Sequence, residues 1–402
     1  MYISTTARSS NSRLGFVSGN VLALGSVSLV TDVSAEMVTS VLPLYLVVGL
    51  GLSPLQFGLV DGVYNGVTAL VRVAGGHAAD RKQKYKLVAG TGYGLSACSK
   101  LGLLAAGSSI PLLAGVIAAD RVGKGIRTAP RDALISLSAP PHRLGAAFGT
   151  HRAMDVCGAL LGPLIAFAVL WNTGNSFDAV FVTSFCFAAF GVILLTLFVS
   201  NRREPSRRQK PSLRLALRTP GAGRLCAVAG LLALVAIGDN FLYLIMARRA
   251  DLAAEYYPLL PLGTAAAYLL LAVPLGHLAD RVGRWRLFLA GHAVLLAAYG
   301  LLALTSDHLL LLIAVPLILG VSYAATDGVL MALAGPVFPE SVRGSGIALV
   351  QSSQALARMA GSVLFGSMWL WWGETPAVLA SAALLATALA LVARKTKNRR
   401  TS

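Results

Sequence analysis

The sequence predicts an all-α membrane protein of twelve transmembrane helices in two pseudo-symmetric six-helix bundles. Three observations carry that prediction. The first is composition: of 402 residues 56% are hydrophobic and 13% charged, with a mean hydropathy of +0.70, more apolar surface than a soluble core of this length can hide. The second is a repeat at an offset of 200 residues (276 − 76), where Gly76-His77-Ala78-Ala79-Asp80-Arg81 returns as Gly276-His277-Leu278-Ala279-Asp280-Arg281. Each copy lies between stretches apolar enough to cross a bilayer, which favours two homologous halves over a tandem soluble domain. The third is the placement of the basic residues. With the N-terminus cytoplasmic, Arg8 and Arg13, the runs 81–86, 127–143, 202–224 and 281–286, Arg343 and the run 394–400 all fall on one side, and the opposite loops carry almost only Arg248 and Arg249. That is the positive-inside asymmetry with both termini cytoplasmic. It explains the net charge of +17 without a nucleic-acid partner.

A spanning helix needs about 20 mainly apolar residues, and each predicted span can be justified in turn. The first, about 15–36, follows basic residues as a secretory leader would. No small-residue cleavage site ends it and Asp32 and Glu36 lie on the same helix, so a retained span is expected. The second, about 54–78, carries Asp61, Asn65, Thr68 and Arg72 at i, i+4, i+7 and i+11, one polar stripe. The third covers about 87–107. The fourth, about 110–132, repeats the stripe with Asp120, Lys124, Arg127 and Arg131; the fifth, about 144–171, has Arg152 and Asp155 three apart. The sixth, about 178–199, closes a bundle over 1–199, and the Arg-, Ser- and Pro-rich stretch within 200–223 reads as a cytoplasmic linker. In the bundle over 224–402 the seventh span, about 224–247, is interrupted by Asp239-Asn240, and the eighth, about 256–278, runs into the second cassette. The ninth spans about 287–305. The tenth, about 308–336, carries an isolated Asp327 with Tyr323; the eleventh, about 344–371, aligns Gln351, Gln354 and Arg358; the twelfth covers about 375–393.

Enzyme signatures fail. Gly123-Lys124 resembles the end of a phosphate-binding loop, but Ala118 replaces the required glycine and Gly125 the magnesium-holding hydroxyl; no His-Glu-x-x-His or Gly-x-Ser-x-Gly element occurs. No catalytic residue, cofactor or metal site is expected. Cys98, Cys157, Cys186 and Cys226 show no metal-ligand spacing and are expected as buried small side chains. Any driving energy must then come from an ion gradient or from the substrate's own.

Each charge at the centre of a membrane helix costs about 2.5–3.5 kcal/mol on insertion scales, so such residues need partners or a wet cavity. Asp32, Glu36 and Thr39 share one helical face. Asp61, Arg131, Asp132 and Arg343, near span ends, read as interhelical ion pairs, whereas Asp32, Glu36, Arg152 and Asp155, nearer mid-span, read as functional. Two carboxylates facing an arginine form a site that could couple proton to substrate movement or bind a cationic substrate directly.

The stretch Gly276-His277-Leu278-Ala279-Asp280-Arg281-Val282-Gly283-Arg284 resembles the signature loop between the second and third helices of each half in the major facilitator superfamily. The first copy keeps Gly76, Asp80 and Arg81, with Gln83 and Lys84 in place of Gly and Arg. The resemblance implies a cytoplasmic charge clasp that stabilises one access state. Arg121-Val122-Gly123-Lys124-Gly125 is similar to the superfamily's Arg-x-x-Gln-Gly element, which implies a part in proton transfer for Arg121. Gly149, Gly158, Gly162 and Pro163 reproduce the first part of the antiporter motif, with Ala166 and Phe167 where its last glycine pair would stand. Spacing alone reads the same residues as tight helix packing, with a kink at the proline. The run from Asp120 to Leu134 looks like a bacterial branch of the superfamily.

The resemblance implies the major facilitator fold, alternating access about a mid-membrane site, and a drug/proton-antiporter-like branch. On that footing Asp32, Glu36, Arg121, Arg152 and Asp155 are expected to carry proton coupling, and Tyr64, Asn65, Asp239, Asn240, Tyr323, Asp327, Gln351, Gln354 and Arg358 to contact substrate; a lone acid such as Asp327 can equally bond neighbouring helices. The expected protein is a monomer in a bacterial inner membrane whose partners are the bilayer, a small-molecule substrate and protons. Three functions stay open: proton-coupled efflux of a small organic compound, uptake of an organic anion or metal chelate, and a non-transporting membrane sensor.

Overall fold

Without water, backbone polar groups satisfy one another most simply within a helix, and the described residues are helical almost throughout. In the computed structural model, which describes residues 18–82, 84–140, 144–201, 213–305, 307–339 and 342–397, no strand occurs among the described residues. The helices are α1 Gly19–Leu44, α2 Pro54–Lys82, α3 Tyr85–Ala106, α4 Ile110–Leu137, α5 Leu144–Thr173, α6 Phe177–Phe198, α7 Leu213–Arg218, α8 Ala222–Val235, α9 Asp239–Arg249, α10 Leu259–Val282, α11 Arg284–Leu304, α12 His308–Ala334, α13 Arg343–Trp372 and α14 Glu374–Lys397.

Among the described residues, eight helical stretches are long and apolar enough to cross a membrane, counting α8 and α9 as one. The long helices outside that set, α2, α3, α4 and α13, hold polar side chains turned inward: Asp61, Lys100, Asp120 and Arg358 among them. Placing the first span at 15–36 was too short. The helix continues through Pro43 into a π-helical turn, Tyr45–Gly49, because Met37, Val41 and Leu44 extend the buried face beyond the acids. The cysteines are also not buried as expected: Cys98, Cys157 and Cys186 lie on the outside of the bundle and Cys226 is half-buried. The break expected at Asp239-Asn240 falls at Ala236–Gly238, between α8 and α9, where the freed Ile237 amide donates to the Tyr299 hydroxyl at 2.8 Å.

Before the linker α1 packs on α5 and α6, α3 on α4 and α6, and α2 on α4; after it α12 packs on α10 and α11, α11 on α14, and α13 on α8. The main contacts between these groups are α2 with α13 and α5 with α10 and the turn ahead of it, and α1 also touches α9. The first is a seam of glycines. A Cβ added at Gly58 would stand 2.5 Å from the Ser362 carbonyl, one at Gly62 3.0 Å from that of Met359, and one at Gly366 2.5 Å from that of Pro54. Beside it Phe57, Phe241 and Phe365 meet edge-to-face at 4.8 and 4.9 Å between ring centroids. Across the second pair, Tyr256 meets Phe167 at 5.7 Å and Trp171 at 5.9 Å. These contacts shut the end of the bundle that holds the α1–α2 and α5–α6 turns.

At the opposite end, α10 turns into α11 on a single residue. Gly283 takes φ +100°, a conformation open to glycine and strained for other residues. Arg284 then reaches back to Asp280 at 2.9 Å and donates to the Ala332 carbonyl at 3.0 Å, tying α10, α11 and the end of α12 together. Gly276 has open space around it. In the first copy Gly76, Asp80 and Arg81 fall in the last turns of α2, where side chains are outside the described set, as are those of Thr68, Arg72 and Arg343.

Candidate functional site

Polar stripes on helices from both sides of the linker converge on a chamber of about 610 Å³, within the size range of small-molecule sites. Before the linker α2 contributes Tyr64 and Asn65, α4 Arg121 and Lys124, and α5 Arg152; after it α10 contributes Tyr268, α12 Asp327, and α13 Gln351, Gln354 and Arg358. A deeper pocket of about 200 Å³ shares Tyr64, Asn65, Gln354 and Arg358 with it, and adds Asp61, Asp239, Asn240, His292 and Tyr323. All nine residues expected to contact substrate therefore line one of these two spaces. Sequence reasoning missed Tyr268 and His292 as lining groups; Asp61, set on the polar stripe of α2 but read as an ion pair, lines the deeper pocket.

The side chains are organised by ion pairs and by aromatic faces. The Arg121 guanidinium lies 4.0 Å from the Tyr64 ring centroid and bonds to Asp120. Tyr64 shares a hydrogen bond with Thr39 at 2.9 Å. Arg358 stands 3.8 Å from Asp327, and Tyr323 donates to Asp239. Lys124 and Arg152 line the large chamber and, among the described residues, neither has a carboxylate within ion-pair distance. The stripe of α4 thus divides. Asp120 turns from the chamber towards α3, where Lys100 pairs with it at 3.0 Å and Ser96 donates to it at 2.5 Å.

The residues expected to couple protons do not gather at one point. Arg121 and Arg152 line the chamber, whereas Asp32, Glu36 and Asp155 do not. Asp32 is 3.4 Å from Arg127, itself 4.5 Å from the Tyr93 ring centroid. Glu36 has no hydrogen bond or ion pair among the described residues; Lys124, Asp32 and Arg121 act on it electrostatically. Arg152 and Asp155, three apart on α5, diverge: Arg152 points outward to the chamber and Asp155 inward to His151, at 3.5 Å. His151 went unnoticed in the sequence because a single histidine carries no motif. Arg131 and Asp132 do pair, at 3.0 Å, but as neighbours on α4 and not between helices as expected; the interhelical bond of Arg131 goes to the neutral Ser28 of α1. For Asp61 the ion-pair reading fails, as its partners are neutral: Ser362, Asn240 and Asn65.

The glycines of α5 position the acids of α1. A Cβ at Gly158 would meet Asp32 Cβ at 3.1 Å, and one at Gly162 would meet Glu36 Cβ at 2.7 Å and the Val33 carbonyl at 2.9 Å; Gly149 has nothing against it. Replacing Gly162 by Leu is expected to force α5 from α1 and destabilise the protein by about 3 kcal/mol. Thermal unfolding in detergent measures this, and an unchanged midpoint would show that the contact yields freely.

Known proteins match this architecture along nearly its whole length. The family model described as Major Facilitator Superfamily matches residues 24–249 and 228–402. An uncharacterized MFS-type transporter of Methanocaldococcus jannaschii is 29% identical over 371 residues, 88% of this chain and 89% of the relative. Among solved structures, the nucleoside transporter NupG superposes with a TM-score of 0.77 at 14% identity, covering 92% of this chain and 98% of that one. A bacterial homolog of the human lysosomal transporter Spinster, in an inward-facing and occupied conformation, gives 0.74 at 16% identity over 92% and 94%.

Proposed function

The chain belongs to the major facilitator superfamily, and from that premise we propose that it is a twelve-span secondary transporter that exchanges protons for a small organic compound leaving the cell. Its two six-helix bundles, 1–199 and 224–402 joined by the linker 200–223, rock about the chamber, with both termini cytoplasmic in a bacterial inner membrane and the monomer as the working unit. One observation carries this reading. The chamber is walled by three helices from each side of the linker and lies on the Gly283 side of the α2–α13 seam that closes the far end. With the basic loops cytoplasmic, this is an inward-open arrangement. The lining mixes ionic and hydrogen-bonding groups with apolar ones such as Met331, Ala348 and Ala355, which suits a small organic cargo with both polar and apolar parts. Asp32 and Glu36, close to the chamber's cations, are the proposed proton carriers, with Arg121 modulating them, and Asp155, paired with His151, is proposed as a third.

The reading is tested in two steps. Ligands found by thermal-shift screening of the purified protein, on the ground that a compound preferring the folded state raises its apparent stability, are loaded into proteoliposomes under an imposed pH gradient. Antiport drives the compound toward the acidic compartment. Accumulation toward the alkaline compartment would replace it with symport, and indifference to the gradient would remove the proton.

A second reading, uptake of an organic anion or metal chelate, is favoured by Lys124 and Arg152, cations on the chamber wall without carboxylate partners. If it holds, Lys124→Gln and Arg152→Gln each weaken binding of an anionic ligand about tenfold, a loss of about 1.4 kcal/mol, and leave a cationic ligand's affinity unchanged or higher. Calorimetry on both ligand types decides.

A further inference from the structure

Asp61 is 4% exposed and sits where the helices before the linker meet those after it. Its Oδ2 accepts from Ser362 Oγ of α13 at 2.6 Å and from Asn65 Nδ2 at 3.2 Å. Its Oδ1 accepts from Asn240 Nδ2 of α9 at 2.7 Å. One carboxyl thus joins three helices across the seam, in register with the glycine contacts of Gly58 and Gly62. No Lys, Arg or His among the described residues lies within ion-pair distance of it. The titratable groups around it are few: Tyr64 on its own helix, Asp239 on α9, Tyr257 ahead of α10, Arg358 on α13, and His292 of α11 and Tyr323 of α12 on the wall of the same pocket. Arg358, the one permanent cation in this set, stands at Asp327.

We propose that Asp61 is a proton-binding site built into the seam, which keeps the far end shut while its carboxyl is protonated and lets that end part once the carboxyl is ionised and hydrated. An ionised carboxylate without a cation is heavily penalised in a dry joint, whereas the neutral acid can keep the Asn65 and Asn240 amides as donors and turn its own O–H to Ser362 Oγ, the hydroxyl reversing its role. Opening the seam between α2 and α13 exposes the group to water on the far side. In the closed state its edge on the deeper pocket gives the proton a way to the chamber. Asp61 would then load from one side of the membrane and unload to the other. This deepens the proton-coupled reading and rests on it for its transport consequence, but the seam itself is testable without a substrate.

The test places spin labels at Val48 and Trp371, both exposed, in a background with the four cysteines replaced, and follows their separation in nanodiscs from pH 5.5 to 8.5. In the otherwise unaltered protein the short-distance population is expected to fall as pH rises. Asp61→Asn, neutral at every pH, is expected to hold the short distance throughout. Ser362→Ala, which removes one of the hydrogen bonds that hold the closed seam together, is expected to keep the transition and move its midpoint to lower pH. Asp61→Asn responding to pH like the parent, a parent indifferent to pH, or an unmoved midpoint in Ser362→Ala would each overturn the proposal. A normal pH response of the labels with no pH-gradient-driven flux in proteoliposomes would retire the proton-coupled transport reading and leave the seam site standing.

Discussion

Replacing Asp120 by Ala is expected to lower stability by about 3–5 kcal/mol, the cost of leaving a buried charge uncompensated, and to halve or worse the folded protein recovered from the membrane. Asp120 holds two buried cations at once. Lys100 Nζ lies 3.0 Å from Oδ1 with both side chains largely shielded, and the Arg121 guanidinium bonds Oδ2. Ser96 and Ser99 complete the shell, and Lys100 also donates to the Ser96 carbonyl at 2.8 Å. The alanine variant strips the ammonium and the guanidinium of their counter-charge together. Thermal unfolding measured by size-exclusion chromatography reads the loss. The double variant Lys100→Met with Asp120→Leu should recover part of it, since it removes a charge with its partner; a single variant within about 1 kcal/mol of the parent would show that water already reaches the cluster.

Loss of proton-driven flux is the expected result of Glu36→Gln and of Asp32→Asn, at least tenfold in the rate of gradient-driven accumulation. Both residues lie on the face of α1 pressed by Gly158 and Gly162, so the amide isosteres fit the same space and the effect isolates charge from shape. Asp32→Asn also frees Arg127 from its ion pair, so it is expected to lose some stability as well, which Glu36→Gln is not. Gradient-free exchange of labelled against unlabelled substrate separates coupling from translocation: it should persist in Glu36→Gln. Unchanged proton coupling in both variants would end the assignment of these acids.

How far the site could be read from the sequence follows from what periodicity encodes. Spacing at i and i+4 put Asp61 and Asn65 on one face of α2, spacing at i, i+3 and i+7 put Gln351, Gln354 and Arg358 on one face of α13, and those faces do look inward. The cassette at 276–284 announced a turn, and Gly283 makes one. Spacing is silent about which neighbour each face meets. Asp120 and Lys124 share a stripe, yet one serves the α3 contact and the other the chamber; the rotation of α4 between two neighbours decides. Arg152 and Asp155 are three apart and diverge for the same reason. Asp61 read as an ion pair because its partners, Ser362 and Asn240, are 301 and 179 residues away and belong to residue types too common to notice. The aromatic seals at Phe241 and Tyr256 depend on long-range placement in the same way.

The glycine facets between α2 and α13 bear on speed. Along Gly58, Gly62 and Gly66 the two helices meet through carbonyls and missing side chains, so little has to be withdrawn there, and what must be broken is the phenylalanine cluster and the Asp61 hydrogen bonds beside it. The projecting side chain there, Met359, lies against Gly62 and Gly66 and is of the unbranched, readily reshaped kind. A joint of this build resists chiefly through that cluster and those bonds, so traffic through the protein should be paced by how cargo and protons bind, with little friction added by the glycine facets.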